Sequence, residues 1–170
     1  GHFYEPNLRF WSDHAEKKRW FLIQNTTDTV GYSQDAPWTY PAGMIWVKHF
    51  DLETTRGNPA TAQRIETRVL VKNAAGSYGV SYRWNAAQTE AILVPDAGED
   101  IAINIIDGVT PRVQNYRIPG RAQCITCHNA HGIVPVKDPS SPVYPLNVVK
   151  KCTECHASAG YMRTFNPSLP

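Results

Sequence analysis

Two copies of the sequence Cys-x-x-Cys-His lie in the last third of the chain, at Cys124–His128 and Cys152–His156. In such a motif, two thiols three residues apart can add to the two vinyl groups of one haem, while the adjacent imidazole binds the iron. The pattern therefore predicts two covalently attached haem c groups. The thioether bonds would be formed by Cys124, Cys127, Cys152 and Cys155, and the proximal iron ligands would be His128 and His156.

The four cysteines have two other possible uses. They could supply four thiolates to a structural zinc ion, or they could form two disulfide bonds. Neither use explains the histidines. The chain has six histidines in 170 residues, so a histidine follows both pairs by chance about once in a thousand on composition alone. Haem attachment is the favoured interpretation, and it leaves no free thiol.

The residue that binds the far side of each iron is not fixed by the motif. The candidate distal ligands, in order of preference, are His131, His14, His49 and His2. Because His131 follows His128 by three residues, it cannot reach the far side of its own haem but could bind a neighbouring one. We expect it to serve the haem at Cys152 and Cys155, with His14 or His49 serving the haem at Cys124 and Cys127.

His2 could act within the chain or between chains, since a terminal segment can reach a neighbouring molecule. Four histidines besides the proximal pair exceed the two distal positions of two haems. This surplus raises the possibility of a homo-oligomer or filament in which haems continue from chain to chain. If one distal position stays open instead, the alternative is a peroxidase-like haem oxidoreductase.

Length and composition restrict the possible partners and the location of the protein. No run of 18 apolar residues occurs, so no transmembrane segment is predicted. The formal net charge is +2 without a cluster of basic residues, which gives no case for a nucleic-acid partner. Covalent haem attachment takes place outside the cytoplasm, so we expect a periplasmic, cell-surface or secreted protein. A chain that begins at Gly1 also fits a mature form whose signal peptide has been removed.

Residues 1–118 have the pattern of a β-rich scaffold domain. Alternating residues predict strands at 44–53, 63–72 and 77–84, with a hairpin turn at Asn73–Gly76, and shorter strands at 91–94, 101–106 and 112–118. Residues 119–170 contain several prolines and few large apolar residues. The predicted fold class is therefore mainly β: a β-sandwich or barrel-like N-terminal part, followed by an irregular, partly helical segment wrapped on two haems.

The C-terminal segment resembles the doubled Cys-x-x-Cys-His cytochromes. In that pattern a His-Gly pair, here His131-Gly132, follows the first motif, and a second motif comes after a proline-containing loop. The resemblance covers about residues 119–160. It implies low-potential haems with two histidine ligands each, and it implies that His131 binds the other haem.

The N-terminal part has a separate resemblance, to the β-rich region that precedes a single haem motif in large secreted bacterial haem proteins. The similar stretches are Trp11–Trp20, Pro41–Phe50, Arg64–Arg68, Tyr78–Trp84 and Pro119–Cys124. Some of those proteins are fused to sugar-dehydrogenase-like domains, whereas this chain carries a second haem motif and no dehydrogenase region. The resemblance implies electron-transfer chemistry, and His14 replaces a residue that is often small in those proteins.

Together these features predict an extracytoplasmic dihaem electron carrier rather than an enzyme. Its partners would be other redox proteins or extracellular electron acceptors. The carboxylates Glu66, Asp96 and Glu99 form no recognisable acid–base arrangement in the sequence.

Overall fold

A computed structural model of the protein describes residues 1–6, 12–33 and 38–123. In those ranges the chain is almost entirely β-structure, with a short 3-10 helix at Pro59–Thr61 and a helical turn at 121–123. The strands are β1 (His2–Phe3), β2 (Glu16–Leu22), β3 (Ile45–Glu53), β4 (Ala62–Asn73), β5 (Gly76–Trp84), β6 (Ala91–Leu93), β7 (Glu99–Asp107) and β8 (Thr110–Ile118).

The strands form two antiparallel sheets. Strands β1 to β6 pair in chain order as a six-stranded meander, and β7 pairs with β8 as a separate hairpin. The prediction of a mainly β protein is confirmed at this level. The predicted turn between β4 and β5 is also present, where the Gly76 amide donates to the Asn73 side-chain oxygen at 2.8 Å.

Strands β1 and β2 were not predicted. Strand β2 begins with four charged residues, Glu16 to Arg19, and this stretch has no apolar alternation that would indicate a strand. It forms because β3 supplies seven consecutive backbone pairs along it. A neighbouring strand has thus overridden a weak local pattern.

The core lies between the six-stranded sheet and the β7–β8 hairpin. Phe50 and Leu52 of β3 are fully buried there and cluster with Ile105, Tyr116 and Ile118 of the hairpin. We call the side of the large sheet that contacts this hairpin the inner face.

The inner face also holds a buried polar group. Glu66 is fully buried, accepts two hydrogen bonds from Arg68 at 2.6 and 2.8 Å, and accepts a third from the Tyr116 hydroxyl at 2.8 Å. Burial, with the Glu66 charge second, raises the pKa of Tyr116, so its hydroxyl stays protonated and able to donate.

The opposite side, which we call the outer face, has a different composition. Because successive residues of a strand point to opposite sides, the register places aromatic, β-branched and a few polar side chains together on it. The outer face comprises Phe3, Glu16, Lys18, Trp20, Leu22, Ile45, Val47, His49, Asp51, Thr67, Val69, Val71, Tyr78, Val80, Tyr82 and Trp84, with Arg64 stacked over Trp84.

Several predictions fall on residues outside the described ranges. These are the predicted wrapped segment from residue 124 onward, both haem motifs with Cys124, Cys127, His128, Cys152, Cys155 and His156, and the distal candidate His131.

Candidate functional site

The peptide that leads into the first haem motif is fixed against the turn between β6 and β7. A Cβ atom at Gly120 would overlap the carbonyl oxygens of Pro95 and Asp96, so only glycine fits there. The Gly120 amide donates to the Gln123 side-chain oxygen at 2.7 Å, and the Gln123 side-chain nitrogen donates to the Ala97 carbonyl at 3.0 Å. The residue immediately before Cys124 is therefore held by the scaffold.

This peptide also reaches the outer face. The guanidinium of Arg121 lies over the ring of Tyr78, 5.3 Å from its centroid, in a cation–π contact. Tyr78 belongs to the outer face at the β4–β5 turn end of the sheet. The first haem motif thus begins three residues beyond a side chain that contacts this face.

His49 lies near the centre of the outer face and makes a fixed set of contacts. Its Nδ1 is 2.6 Å from the Thr67 hydroxyl oxygen, which also accepts a hydrogen bond from the Trp84 indole nitrogen at 2.8 Å. The Trp20 ring packs edge-on against the imidazole with a centroid separation of 5.0 Å. Thr67 and Trp20 therefore fix the position and orientation of this ring, and Trp84 holds Thr67.

The charges around His49 favour the neutral imidazole. Partial burial lowers its pKa, and the Arg64 guanidinium lowers it further, while the Asp51 carboxylate opposes the shift. Arg64 itself stacks over the Trp84 ring at 4.6 Å. A metal-binding histidine must be neutral, so this environment favours the form that can act as a ligand.

One ring nitrogen of His49 is held by the protein. In metal-binding histidines one ring nitrogen is usually held by a hydrogen bond and the other binds the metal. The hydroxyl of Thr67 can accept from Nδ1–H, which would leave the lone pair on Nε2. The surroundings are mixed, because Lys18 lies opposite His49 in the register and pairs with Asp51 at 2.9 Å.

His14 occupies a different part of the molecule. It is exposed, with a left-handed backbone at φ 64° next to Asp13 at φ 46°, a conformation that is uncommon outside glycine. Burial lowers the pKa of His14, followed by the charges of Arg56 and Arg112, with Asp107 opposing. These neighbours place it towards the turn of the β7–β8 hairpin, away from the Ile118 end that leads to Cys124.

His2 lies on the two-residue edge strand β1. It is exposed and packs against the ring of Phe21, with 5.2 Å between centroids. In the register His2 is opposite Phe21, which shares the inner side with Trp46, so His2 and His49 are on different sides of the sheet. The three described candidate histidines therefore lie in three different places and do not form one site.

Among residues 1–6, 12–33 and 38–123, no three histidine, cysteine, aspartate or glutamate side chains are grouped as a metal site. No helix in the described part of the chain is long and apolar enough to cross a membrane. The candidate site is therefore a single imidazole on one side of the sheet, and its other predicted components fall outside the described residues.

Sequence reasoning did not identify the residues that hold His49. Thr67 and Trp84 were recognised as strand residues, but the contacts of Thr67 with His49 and with Trp84 depend on the pairing of β3, β4 and β5. Gly120 and Gln123 were likewise not singled out for their structural roles. The pairing register of three predicted strands was the one signal that could have grouped Thr67 with His49.

Comparison with protein-family models, with curated proteins and with solved structures gives no match for this chain. Its function must therefore be inferred from its own residues.

Proposed function

We propose that the protein is a dihaem c-type cytochrome that transfers electrons outside the cytoplasm. The observation that carries this proposal is the pair of complete Cys-x-x-Cys-His motifs, which use every cysteine of the chain. Periplasmic, cell-surface and secreted locations all agree with the place where such haems are attached. The partners would be redox proteins or extracellular electron acceptors.

Each motif would hold one haem. Cys124 and Cys127 would hold one haem and Cys152 and Cys155 the other, with His128 and His156 as proximal ligands. A bound haem iron supplies one-electron redox chemistry. Two histidine ligands on each iron would keep its coordination the same in both oxidation states, which favours electron transfer over catalysis.

Mass spectrometry of the mature protein tests the proposal directly. We expect a mass increase of two haem groups that survives acid–acetone extraction, because thioether bonds are covalent. An unmodified chain with stoichiometric zinc would refute it. Cys124→Ala and Cys152→Ala should each remove one thioether bond and lower the yield of the mature form.

The same material tests for an enzyme with an open coordination position. If both irons have two protein ligands, added carbon monoxide or cyanide should change the optical spectrum slowly or not at all. A rapid and complete response of one haem would favour the peroxidase-like alternative.

His131 is proposed as the distal ligand of the haem at Cys152 and Cys155. His131→Ala should then convert one of the two haems to a high-spin or water-bound form. A spectrum with two low-spin haems in this variant would show that another residue is the ligand.

We also propose that assembly into a filament is possible through the spare histidine His2, which is exposed on edge strand β1. His2→Ala should weaken concentration-dependent sedimentation and leave the spectrum of the isolated chain unchanged. Sedimentation of the unaltered protein as a monomer at all concentrations would exclude this form of assembly.

A further inference from the structure

One edge of the β7–β8 hairpin is only partly paired. Ile106 of β7 donates to the Thr54 carbonyl at 2.7 Å and accepts from the Arg56 amide at 2.9 Å, so its backbone groups face away from β8. In an antiparallel pair, the backbone groups of alternate residues face the same side. The amides and carbonyls of Ala102 and Asn104 therefore also face away from β8, and no residue in the described ranges bonds to them.

A groove follows this unpaired part of β7, and we call it the edge groove. It has a volume of about 530 Å³ and is bounded on one side by residues 101–104. Its other side comes from the ends of β4 and β5 and the loop that follows, at residues 63–65 and 83–86. The large sheet thus extends beyond the edge of the hairpin and forms a floor. A volume of this size is typical of ligand sites.

The edge groove lies where a third strand of the small sheet would run. Thr54–Arg56 takes that position only beside Ile106. Residues 101–106 contain no proline and no charged side chain, which are features that commonly block a free edge. Unpaired amides and carbonyls along a strand edge can add an extended peptide as a further strand, a mode known as β-augmentation.

The groove also offers apolar contacts to an added strand. Ile65, Trp84, Ile101 and Ile103 contribute to its lining. Because side chains alternate along a strand, every second residue of the added peptide would face this floor. Apolar side chains at those positions would be partly removed from water.

The charged side chains in the lining of the groove are both guanidinium groups, those of Arg64 and Arg83. Arg83 donates to Glu99 at 3.0 Å. Arg64 stacks over the Trp84 ring at 4.6 Å, and its buried Nε lies 3.9 Å from Asp51 and has no hydrogen-bond partner in the described part of the chain. A carboxylate in the groove could accept a charge-assisted hydrogen bond from Arg64.

We propose that the edge groove binds a short extended peptide of a partner protein that carries an acidic side chain, and that this peptide pairs with Ala102 and Asn104 as a third strand. The unpaired backbone groups select an extended chain, and the two guanidinium groups select the acid. The groove takes a single strand rather than a second copy's hairpin, because the large sheet of that copy would meet the same floor. This inference does not depend on haem attachment.

Calorimetric titration of the full-length protein with a synthetic peptide tests the proposal. The probe is acetyl-Val-Thr-Glu-Thr-Val-amide, which places Val, Glu and Val on one side of a strand. We expect a dissociation constant of about 1 mM or lower. The same peptide with methylated amide nitrogens should bind about tenfold more weakly, because it lacks the donors. The backbone supplies most of the affinity in this mode, so no binding, or equal binding of both peptides, would overturn the proposal.

Two proline variants test the position of the site. Ala102→Pro removes an amide that faces the groove. Asn115→Pro is the matched control, because Asn115 lies opposite Ala102 on β8 and its amide faces the other edge of the hairpin. Both variants keep the bonds between β7 and β8. Peptide binding should fall about tenfold in Ala102→Pro alone. Unchanged binding in that variant, or an equal loss in both, would overturn the assignment.

The acidic preference is tested at Arg64. Arg64→Gln should weaken binding of the Glu peptide several-fold and should not affect a peptide with Gln in place of Glu, since the cycle isolates the charged contact. An equal loss for both peptides would overturn the preference for an acid.

Two measurements on the unaltered protein complete the test. Bound peptide should slow hydrogen exchange at the amides of Ala102 and Asn104, and unchanged exchange there would contradict the proposal. Sedimentation as a dimer that is lost in Ala102→Pro would assign the edge to a second copy and overturn the peptide partner.

Discussion

The inner and outer faces of the six-stranded sheet bury their side chains by different means. The inner face includes charged groups that have partners within the domain. Arg68 and Tyr116 donate hydrogen bonds to Glu66, and the Lys48 ammonium lies 5.0 Å from the centroid of the Phe50 ring. The outer face combines a row of half-buried valines with the charged groups Lys18, Asp51 and Arg64 beside His49. One face is packed against the hairpin, while most side chains of the other are half-buried.

This difference predicts unequal effects on stability. A substitution on the inner face should weaken folding strongly. A substitution on the outer face should cost less, because most of its side chains are only half-buried. The following predictions use that contrast, beginning with the largest expected effect.

Glu66→Ala should destabilise the domain by about 2–4 kcal/mol, because it leaves the half-buried Arg68 charge and the buried Tyr116 hydroxyl without their shared acceptor. Chemical denaturation measures the loss. Glu66→Gln, which keeps an acceptor oxygen, should lose less. A loss below about 1 kcal/mol for the alanine variant would contradict the proposed importance of this buried network.

Val80→Asp should destabilise the domain by about 2–3 kcal/mol, since it places a carboxylate in the half-buried row of Val47, Val69 and Val80 on the outer face. Val80→Thr, which keeps the β-branched shape, should cost less. Val109→Asp, at an exposed turn position, should change stability little. Chemical denaturation measures the losses, and equal losses for Val80→Asp and Val109→Asp would show that this row does not contribute to stability.

Gly120→Ala should destabilise the domain by about 1–3 kcal/mol, because the added methyl group meets two carbonyl oxygens of the β6–β7 turn. It should also reduce attachment at the first motif more than at the second, because Gly120 lies four residues before Cys124. Peptide mass analysis of the two motifs measures the ratio. An unchanged ratio of attachment at the two motifs would mean that the anchoring of this peptide does not influence haem attachment.

A dependence of stability on pH is expected from Lys48 on the inner side. Burial, reinforced by Arg68 and Lys17, lowers the pKa of Lys48 to about 7. The unfolded chain, with a pKa near 10.5, therefore binds more protons between pH 7 and 10.5, and stability should rise with pH across that window. Lys48→Met should flatten the rise. A fall in stability of the unaltered domain between pH 7 and 9 would contradict the lowered pKa.

The predicted strands show which elements a local sequence pattern can identify and which it cannot. The stretches around Ile65–Val71 and Tyr78–Trp84 alternate clearly and form β4 and β5. Strand β2 was missed because its charged first half gives no alternation, and only its pairing with β3 makes it a strand. Alternation also cannot say which side of a strand faces the core, since both sides of β3, β4 and β5 carry apolar residues.

The contacts of His49 at the candidate site likewise could not be predicted from the sequence. The sequence placed it in phase with Ile45 and Val47, and the register confirms that they share a side. Its hydrogen bond to Thr67 and its contact with Trp20 join residues 18 and 29 positions away in the chain. Such contacts depend on strand pairing, which sequence spacing alone does not specify.

The sequence by itself determined the chemistry that this protein can be expected to perform, because two thiols and an imidazole at fixed spacing are a local property of five residues. It also determined the mainly β character of the scaffold through side-chain alternation. Only the tertiary structure decided that His2, His14 and His49 lie in separate places, that Thr67 and Trp20 hold His49, and that Gly120 fixes the peptide before the first motif. Those features arise from contacts between distant strands, so they exist only once the sheets have formed.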